Sequence, residues 1–485
     1  MPTYQATTSV SGDGIAQLRR RSAEGLALLL TRNGITIALN LLGTILLTRA
    51  AGPQLWGAFS AALFLYLMAQ EVLVRGLAGH LIRMPEEPSR FEIRSTFALC
   101  NLAGLFVLLL CVLSRPFATR FYPVPGIYML LLAGGVACWA TAWRAPSIAM
   151  LERRLSYRRV LAIEVLDTAL FALSGVLLIH LLPVWQALAA ALALRGIAPA
   201  LLAFALQPFP VGAWPDLHHL REITHFGTVM SGISLISVGA MAMPPLILAP
   251  LAGPRALGLL QLTFSILGNL FFAASALLRL SLSTYARMEH LDHIHNDVAE
   301  KMRILPQLLG PPICVVLGGS SWLIPALFGA KWIDIPPLLL LAVPGYLLAA
   351  TVWPVMSGAL LAKDPRQALL FVPLIQAIVL ALTILLTAHR WGAASGALGY
   401  TLGQLASLLP LFLLFRRTFR LPPVTGPLAT VLVWSIVAVL LHRLATQSKV
   451  GIWCLVSCVI LVFWGFRQVP HGLRALLPAR EGSSA

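Results

Sequence analysis

The 485-residue chain is 58% hydrophobic and 11% charged, with a mean hydropathy of +0.84 and a formal net charge of +17. A soluble domain carries roughly 25% charged residues, so this much apolar surface excludes a single aqueous core and makes lipid the solvent. Backbone polar groups in lipid must be satisfied internally, which leaves helices or a closed barrel; the apolar runs are long and continuous rather than alternating, and helices are expected.

In chain order, residues 1–24 are polar and end in Arg19-Arg20-Arg21. The apolar run after them is too long for a signal-peptide core and has no convincing cleavage site, so it reads as a span. About fourteen spans follow from the length a bilayer requires: 26–49, 57–79, 96–114, 127–147, 160–181, 185–206, 226–250, 258–282, 304–326, 335–361, 367–388, 392–415, 426–443 and 450–466. Pro244-Pro245 in the seventh and Pro344 and Pro354 in the tenth are expected to bend those helices. Residues 283–303 form a polar, helix-compatible loop holding His290, His293 and His295, read as solvated and without metal. The six cysteines lie within apolar runs, with no zinc-type spacing and no disulfide framework.

One stretch occurs twice. Ala51-Gly52-Pro53-Gln54-Leu55-Trp56-Gly57 returns as Ala252-Gly253-Pro254-Arg255-Ala256-Leu257-Gly258, with Gly52, Pro53 and Gly57 matched by Gly253, Pro254 and Gly258 without a gap. Each copy lies between two apolar runs, and six spans separate them. The expected fold is therefore all-α and integral to the membrane, with two six-helix bundles as parallel repeats and two extra helices. The expected divisions are a tail at 1–24, a first bundle at 25–206 and a linker at 207–225 with Pro208, Pro210 and Pro215. A second bundle at 226–420, two additional helices at 421–468 and a tail at 469–485 complete them.

Charge orients the spans. The even-numbered loops hold Arg83, Arg90 and Arg94; Arg144, Arg153, Arg154, Arg158 and Arg159; Arg221; Arg279, Arg287, Lys301 and Arg303; Lys363 and Arg366; and Arg416, Arg417 and Arg420. Odd loops are poorer by roughly three to one, so both termini are expected in the cytoplasm. Topology and anionic lipid headgroups account for the basic charge, and no nucleic-acid partner is needed. Trp56, Tyr128, Trp185, Trp332 and Trp391, near span ends, read as an interfacial belt.

Charges inside spans are costly and mark functional candidates. Arg32 in the first span and Glu71 in the second lie at about the same depth, near 10 Å, and are placed to pair. Arg195 is near the middle of the sixth span, and Glu164 and Asp167 share one face of the fifth. Arginine offers a fixed planar cation for a pyrophosphate. Arg32 and Arg195 are therefore expected to face a central cavity, with Arg75 and Arg279 at its inner mouth or snorkelling to the surface. Glu71, Asp167 and Glu164 either pair with arginines or carry a coupling ion. Intramembrane amides such as Gln70, Asn101 and Gln404 bond either neighbouring helices or sugar hydroxyls. There is no phosphate-binding glycine loop with lysine, no metal-ligand pair at helical spacing and no activated nucleophile, so neither an enzyme nor a cofactor is expected.

Several of these segments resemble a known family. Arg49-Ala50-Ala51-Gly52-Pro53-Gln54-Leu55-Trp56-Gly57 resembles the first outer loop of Wzx-type polysaccharide flippases, members of the multidrug/oligosaccharidyl-lipid/polysaccharide exporter superfamily. Gly76-Leu77-Ala78-Gly79 is similar to that family's close of the second span, and Leu327-Phe328-Gly329-Ala330-Lys331-Trp332 to its Phe-Gly-x-x-Trp element after the ninth. Leu282-Ser283-Thr284-Tyr285-Ala286-Arg287 lacks the usual proline, and Val74-Arg75 stands where the family often has an acid, the nearest being Glu71. The resemblance covers about residues 22–420. It implies a multi-pass protein of the bacterial inner membrane that moves undecaprenyl-diphosphate-linked oligosaccharide outward for O-antigen, capsule or exopolysaccharide synthesis. It also implies a monomer without covalent chemistry, membrane lipids and polysaccharide polymerase machinery as partners, and H+ or Na+ as the coupling ion. The alternatives are a drug or cation antiporter of the same superfamily and a peptidoglycan lipid-precursor flippase; a membrane glycosyltransferase would need a large catalytic loop.

Overall fold

The computed structural model describes residues 12–84, 86–154, 156–212, 244–270, 291–363, 365–447 and 450–465. Among them there is no strand. Helix α1 (Gly12–Ala69) has 58 residues, about 87 Å if straight and far longer than a bilayer core of about 30 Å. Gly52, at φ 71° and ψ 171°, breaks it. Only glycine adopts this geometry without strain, and Pro53 opens the second limb where its missing N–H costs nothing.

Packing shows that the chain reverses there. Before the break Gly43 abuts Ala172 and Leu47 abuts Gly175 on α6 (Tyr157–Ile179). After it, Phe59 stacks on Phe171 at 5.7 Å and Tyr66 bonds Asp167. The chain runs up α6 before Gly52 and back down it afterwards, so α1 is two antiparallel spans. Gly253 (φ 84°, ψ 165°) breaks α8 (Ala249–Leu270) in the same way, after a π-helical turn at Pro244–Leu248.

The first bundle continues through a π-helical stretch at Gln70–Leu77 and a short α2 (His80–Arg83). It then runs through α3 (Arg90–Leu113), α4 (Arg115–Phe121), α5 (Ile127–Arg153), α6 and α7 (Val184–Leu206). Ser89 caps α3 in a reciprocal box, its hydroxyl accepting from Glu92 N while Ser89 N donates to the Glu92 carboxylate. Small residues set the helix spacing: a β-carbon on Gly134 would meet Ala62 O at 2.7 Å, and one on Gly196 would meet Ala137 Cα at 2.5 Å. Close backbone approach gives packing where lipid supplies no hydrophobic drive.

The second bundle is built from α8, α9 (Leu291–Gly318), α10 (Ser320–Phe328), α11 (Ile335–Lys363), α12 (Pro365–Trp391) and α13 (Ala393–Thr418). Two further helices, α14 (Thr425–Thr446) and α15 (Val450–Phe463), pack on α9. Among the described residues ten helices are long and apolar enough to cross a membrane, or eleven with the bent pair α9–α10 taken as one; split at the two glycine reversals, and with the shorter apolar α15, they fall in the order of the expected spans. Most of the seventh span and the end of the eighth lie outside the described residues.

Three expectations change. Charge patterning places Arg144 in a basic loop, but α5 runs through to Arg153 and buries it at 2% exposure. The polar segment 283–303 is not a solvated loop throughout: from Leu291 it is the first part of α9, with Ile294, Val298 and Met302 fully buried on one face at helical spacing. Residues 271–290, including His290, lie outside the described residues. Trp56 and Trp332 are core residues rather than belt residues. The ninth span is also bent: α9 and α10 meet at 69° across Gly319.

The end of the molecule bearing the even-numbered loops is tied together by arginine. Arg153 Nη1 donates to Leu81 O at 3.0 Å and Met84 O at 2.7 Å, and its Nη2 to Glu86 O at 2.7 Å. One side chain thus closes the link between the second and third spans. We call this the basic end, and the end carrying Gly52 and Gly253 the loop end.

Candidate transport site and gate

Four side chains from four spans converge inside the first bundle. Asp167 of α6 lies between two arginines: Arg195 Nε of α7 donates to its Oδ1 at 2.6 Å, and Arg144 Nη1 of α5 to its Oδ2 at 3.0 Å. Arg144 Nη2 donates to the Tyr66 hydroxyl at 3.0 Å, and that hydroxyl donates on to Asp167 Oδ2. The Tyr66 ring also receives both cations, with Arg195 at 5.1 Å and Arg144 at 5.6 Å, while Phe171 faces Arg195 at 5.0 Å. The side chains are 3% exposed for Arg144, 13% for Asp167 and 14% for Arg195. Charges this far from water persist only when paired and hydrogen-bonded. Glu164, one turn away on the same face of α6, is half-buried.

The corresponding space in the second bundle is aromatic. Tyr346 of α11 stacks on Tyr400 of α13 at 4.4 Å, and Phe264 of α8 closes the group at 5.9 and 5.2 Å. The Tyr346 hydroxyl donates to Phe264 O at 3.5 Å.

At the loop end the bundles meet backbone to backbone. A β-carbon on Gly57 would fall within the radius of Pro254 O, and one on Gly258 within that of Pro53 O. This reciprocal pair is a local two-fold relation between α1 and α8, and it explains why the repeat places glycine four residues after proline. Three contacts surround it. Trp332 Nε1 donates to Thr48 O at 3.2 Å, Arg49 Nη2 to Ala326 O at 2.8 Å, and the Tyr122 hydroxyl to Pro245 O at 2.8 Å. Thr48 O belongs to the last turn before the break, where a helix leaves carbonyls without internal donors. Arg255 pairs with Asp334 at 2.8 Å on the exposed rim.

The expected site residues divide as follows. Arg195 and Asp167 meet in the cluster. Glu71 pairs with Arg75, one turn along its own π-helical stretch, at 2.6 Å, and the Arg75 side chain is 67% exposed. The Arg32 side chain and Arg279 lie outside what the structure describes. Pro53, Gly57, Pro254 and Gly258 come together at the bundle junction, and Gly52 and Gly253 form the backbone breaks just before it. Gln404 is buried in α13, and Trp139 Nε1 donates to Asn101 Oδ1 at 2.8 Å. Sequence reasoning missed Tyr66, which hydropathy does not mark as polar. It also missed Arg144, although that residue falls inside the expected fourth span. Among the described residues no three His, Cys, Asp or Glu side chains are grouped to hold a metal.

The fold is that of known transporters. A structure titled "Lipid II flippase MurJ, inward closed conformation" superposes with a TM-score of 0.70 at 12% identity, covering 91% of this chain and 98% of its own. An inward-facing multidrug resistance MATE family transporter of the MOP superfamily gives 0.58 at 13% identity, over 80% and 98%. An outward-facing one gives 0.54 at 14% identity, over 81% and 95%. No curated protein matches in sequence. Residues 46–337, well over half of the 485, match the family described as "Polysaccharide biosynthesis protein". The chain belongs to that family, as a multi-pass membrane protein whose fold is similar to those of the MurJ and MATE structures.

Proposed function

We propose that this protein moves an undecaprenyl-diphosphate-linked oligosaccharide across the bacterial inner membrane by alternating access. The basic end would face the cytoplasm, and the glycine junction would be the closed outer gate. The observation that carries the reading is the cluster in the first bundle, where Arg144 and Arg195 converge on the single carboxylate of Asp167. Two guanidiniums held at membrane depth make the first bundle the natural attractor for a diphosphate, and their planar forks suit its oxygens. In this reading Asp167 and Tyr66 hold the arginines in place between substrates. The arginine-rich cluster does not suit a cationic drug, which counts against an antiporter.

The test is to delete the gene and measure polyprenyl-linked glycans protected from an oxidant added outside the cell. Protected oligosaccharide that accumulates and is cleared by the wild type, but not by Arg195→Ala, supports both function and site. Clearance by the variant as well keeps the function and removes the site. Unchanged glycans with altered drug efflux would replace the reading with the antiporter.

A further inference from the structure

The helices outside the repeat, α14 and α15, meet the second bundle at the weak points of one helix. Helix α9 contains Pro306, Pro311 and Pro312 and stops at Gly318. Pro312 has no N–H, so the carbonyl four residues earlier, on Leu308, has no helical donor. Trp464, just past α15, supplies one: its Nε1 donates to Leu308 O at 2.8 Å. Gly310 lies under the Trp434 indole of α14, and Cys314 Sγ donates to Trp434 O at 2.8 Å. At the 69° break, Gly318 and Gly319 have no side chain, and Trp453 of α15 fills the space beside them. Trp453 also meets Trp322 of α10 edge-on at 5.2 Å, and Ser320 approaches His442 Nδ1 at 3.5 Å. The break thus has a partner from α14 or α15 on each side.

What lies beyond the break is the gate. Helix α10 and the turn after it carry Ala326 and Trp332, which hold Arg49 and Thr48 of the first bundle. We infer that α14 and α15 are a positioning element for the loop-end gate: they fix the angle between α9 and α10, and so hold the Ala326–Trp332 segment against the first bundle. Trp464 and Trp453 are the positioning residues, acting through α9 and α10 rather than touching cargo. The inference rests on the alternating-access reading, but its test needs no substrate.

The probe is Thr48→Cys, a fully buried position beneath Trp332, in full-length detergent-solubilised protein whose six native cysteines are replaced. The labelling rate with a hydrophilic maleimide reports gate opening. Trp464→Phe keeps the ring but loses the bond to Leu308 O, and should raise the rate about fivefold, the shift one lost hydrogen bond gives a two-state equilibrium. Trp453→Phe loosens the break and should act in the same direction, which preserves the test if the first variant folds poorly. Trp391→Phe, at an exposed position away from the break, should leave the rate unchanged. If both brace variants lower the melting temperature yet label at the parent rate, the helices only add packing and the inference falls. Loss of the lipid-substrate reading in cells would leave this measurement intact.

Discussion

The two bundles share a backbone plan and differ in what they put at its centre. The first places two arginines, an aspartate and a tyrosine among α1, α5, α6 and α7. The second places Phe264, Tyr346 and Tyr400 among α8, α11 and α13. Duplicated helices and loops therefore do not imply duplicated chemistry. Symmetry is retained where the backbones touch, at Gly57 and Gly258, and lost where side chains face the interior. A charged centre requires every charge to be matched, whereas an aromatic centre requires shape. The first bundle should thus fail sharply when one group is removed, and the second gradually.

That contrast can be broken most directly at Asp167. Asp167→Asn leaves two buried guanidiniums without their carboxylate, and loss of one partner of a buried pair costs about 3–5 kcal/mol. Thermal unfolding in detergent should show this as the largest single loss. A fall of under about 1 kcal/mol would mean that water or another anion already satisfies the arginines.

Next come the junction glycines. Gly57→Ala and Gly258→Ala each push a methyl into a carbonyl of the other bundle, an overpacking that costs about 1–3 kcal/mol if the junction stays closed. The two variants should behave alike, both abolishing glycan clearance in cells and both exposing Thr48→Cys to label. Unequal effects would show that the two-fold relation seen in the backbone does not govern closure.

Arg195→Lys tests the chemistry rather than the charge. It keeps the cation but loses the planar fork and much of the stacking on Tyr66 and Phe171. Glycan clearance should fall about tenfold, equivalent to about 1.4 kcal/mol, while the melting temperature drops much less than for Asp167→Asn. Tyr346→Phe, in the second bundle, removes one long hydrogen bond and keeps the ring stack. It should cost no more than about 1 kcal/mol. The smallest effect belongs to Glu71→Gln, which breaks the exposed pair with Arg75 and should change stability by about 0–0.5 kcal/mol.

Some of this was available from the order of residues. Apolar runs long enough to span a bilayer, a basic excess in alternate loops, and one Gly-Pro segment stated twice together set the all-helical class, the span order and the repeat. Those signals are local, or depend only on distance along the chain, and lipid enforces them because an unsatisfied backbone cannot remain in it. Arg195 and Asp167 were legible for the same reason, since a charge within an apolar run stands out.

Tertiary structure decided the rest. Whether Arg144 ends in a loop or a core depends on how far α5 continues past the expected boundary. Whether Trp56 and Trp332 meet lipid or protein depends on the other bundle lying against them. The bend at Gly319 packs against Trp453, more than a hundred residues away. In each case the deciding partner is remote in the chain, and residue order carries no distance between remote partners until the helices pack.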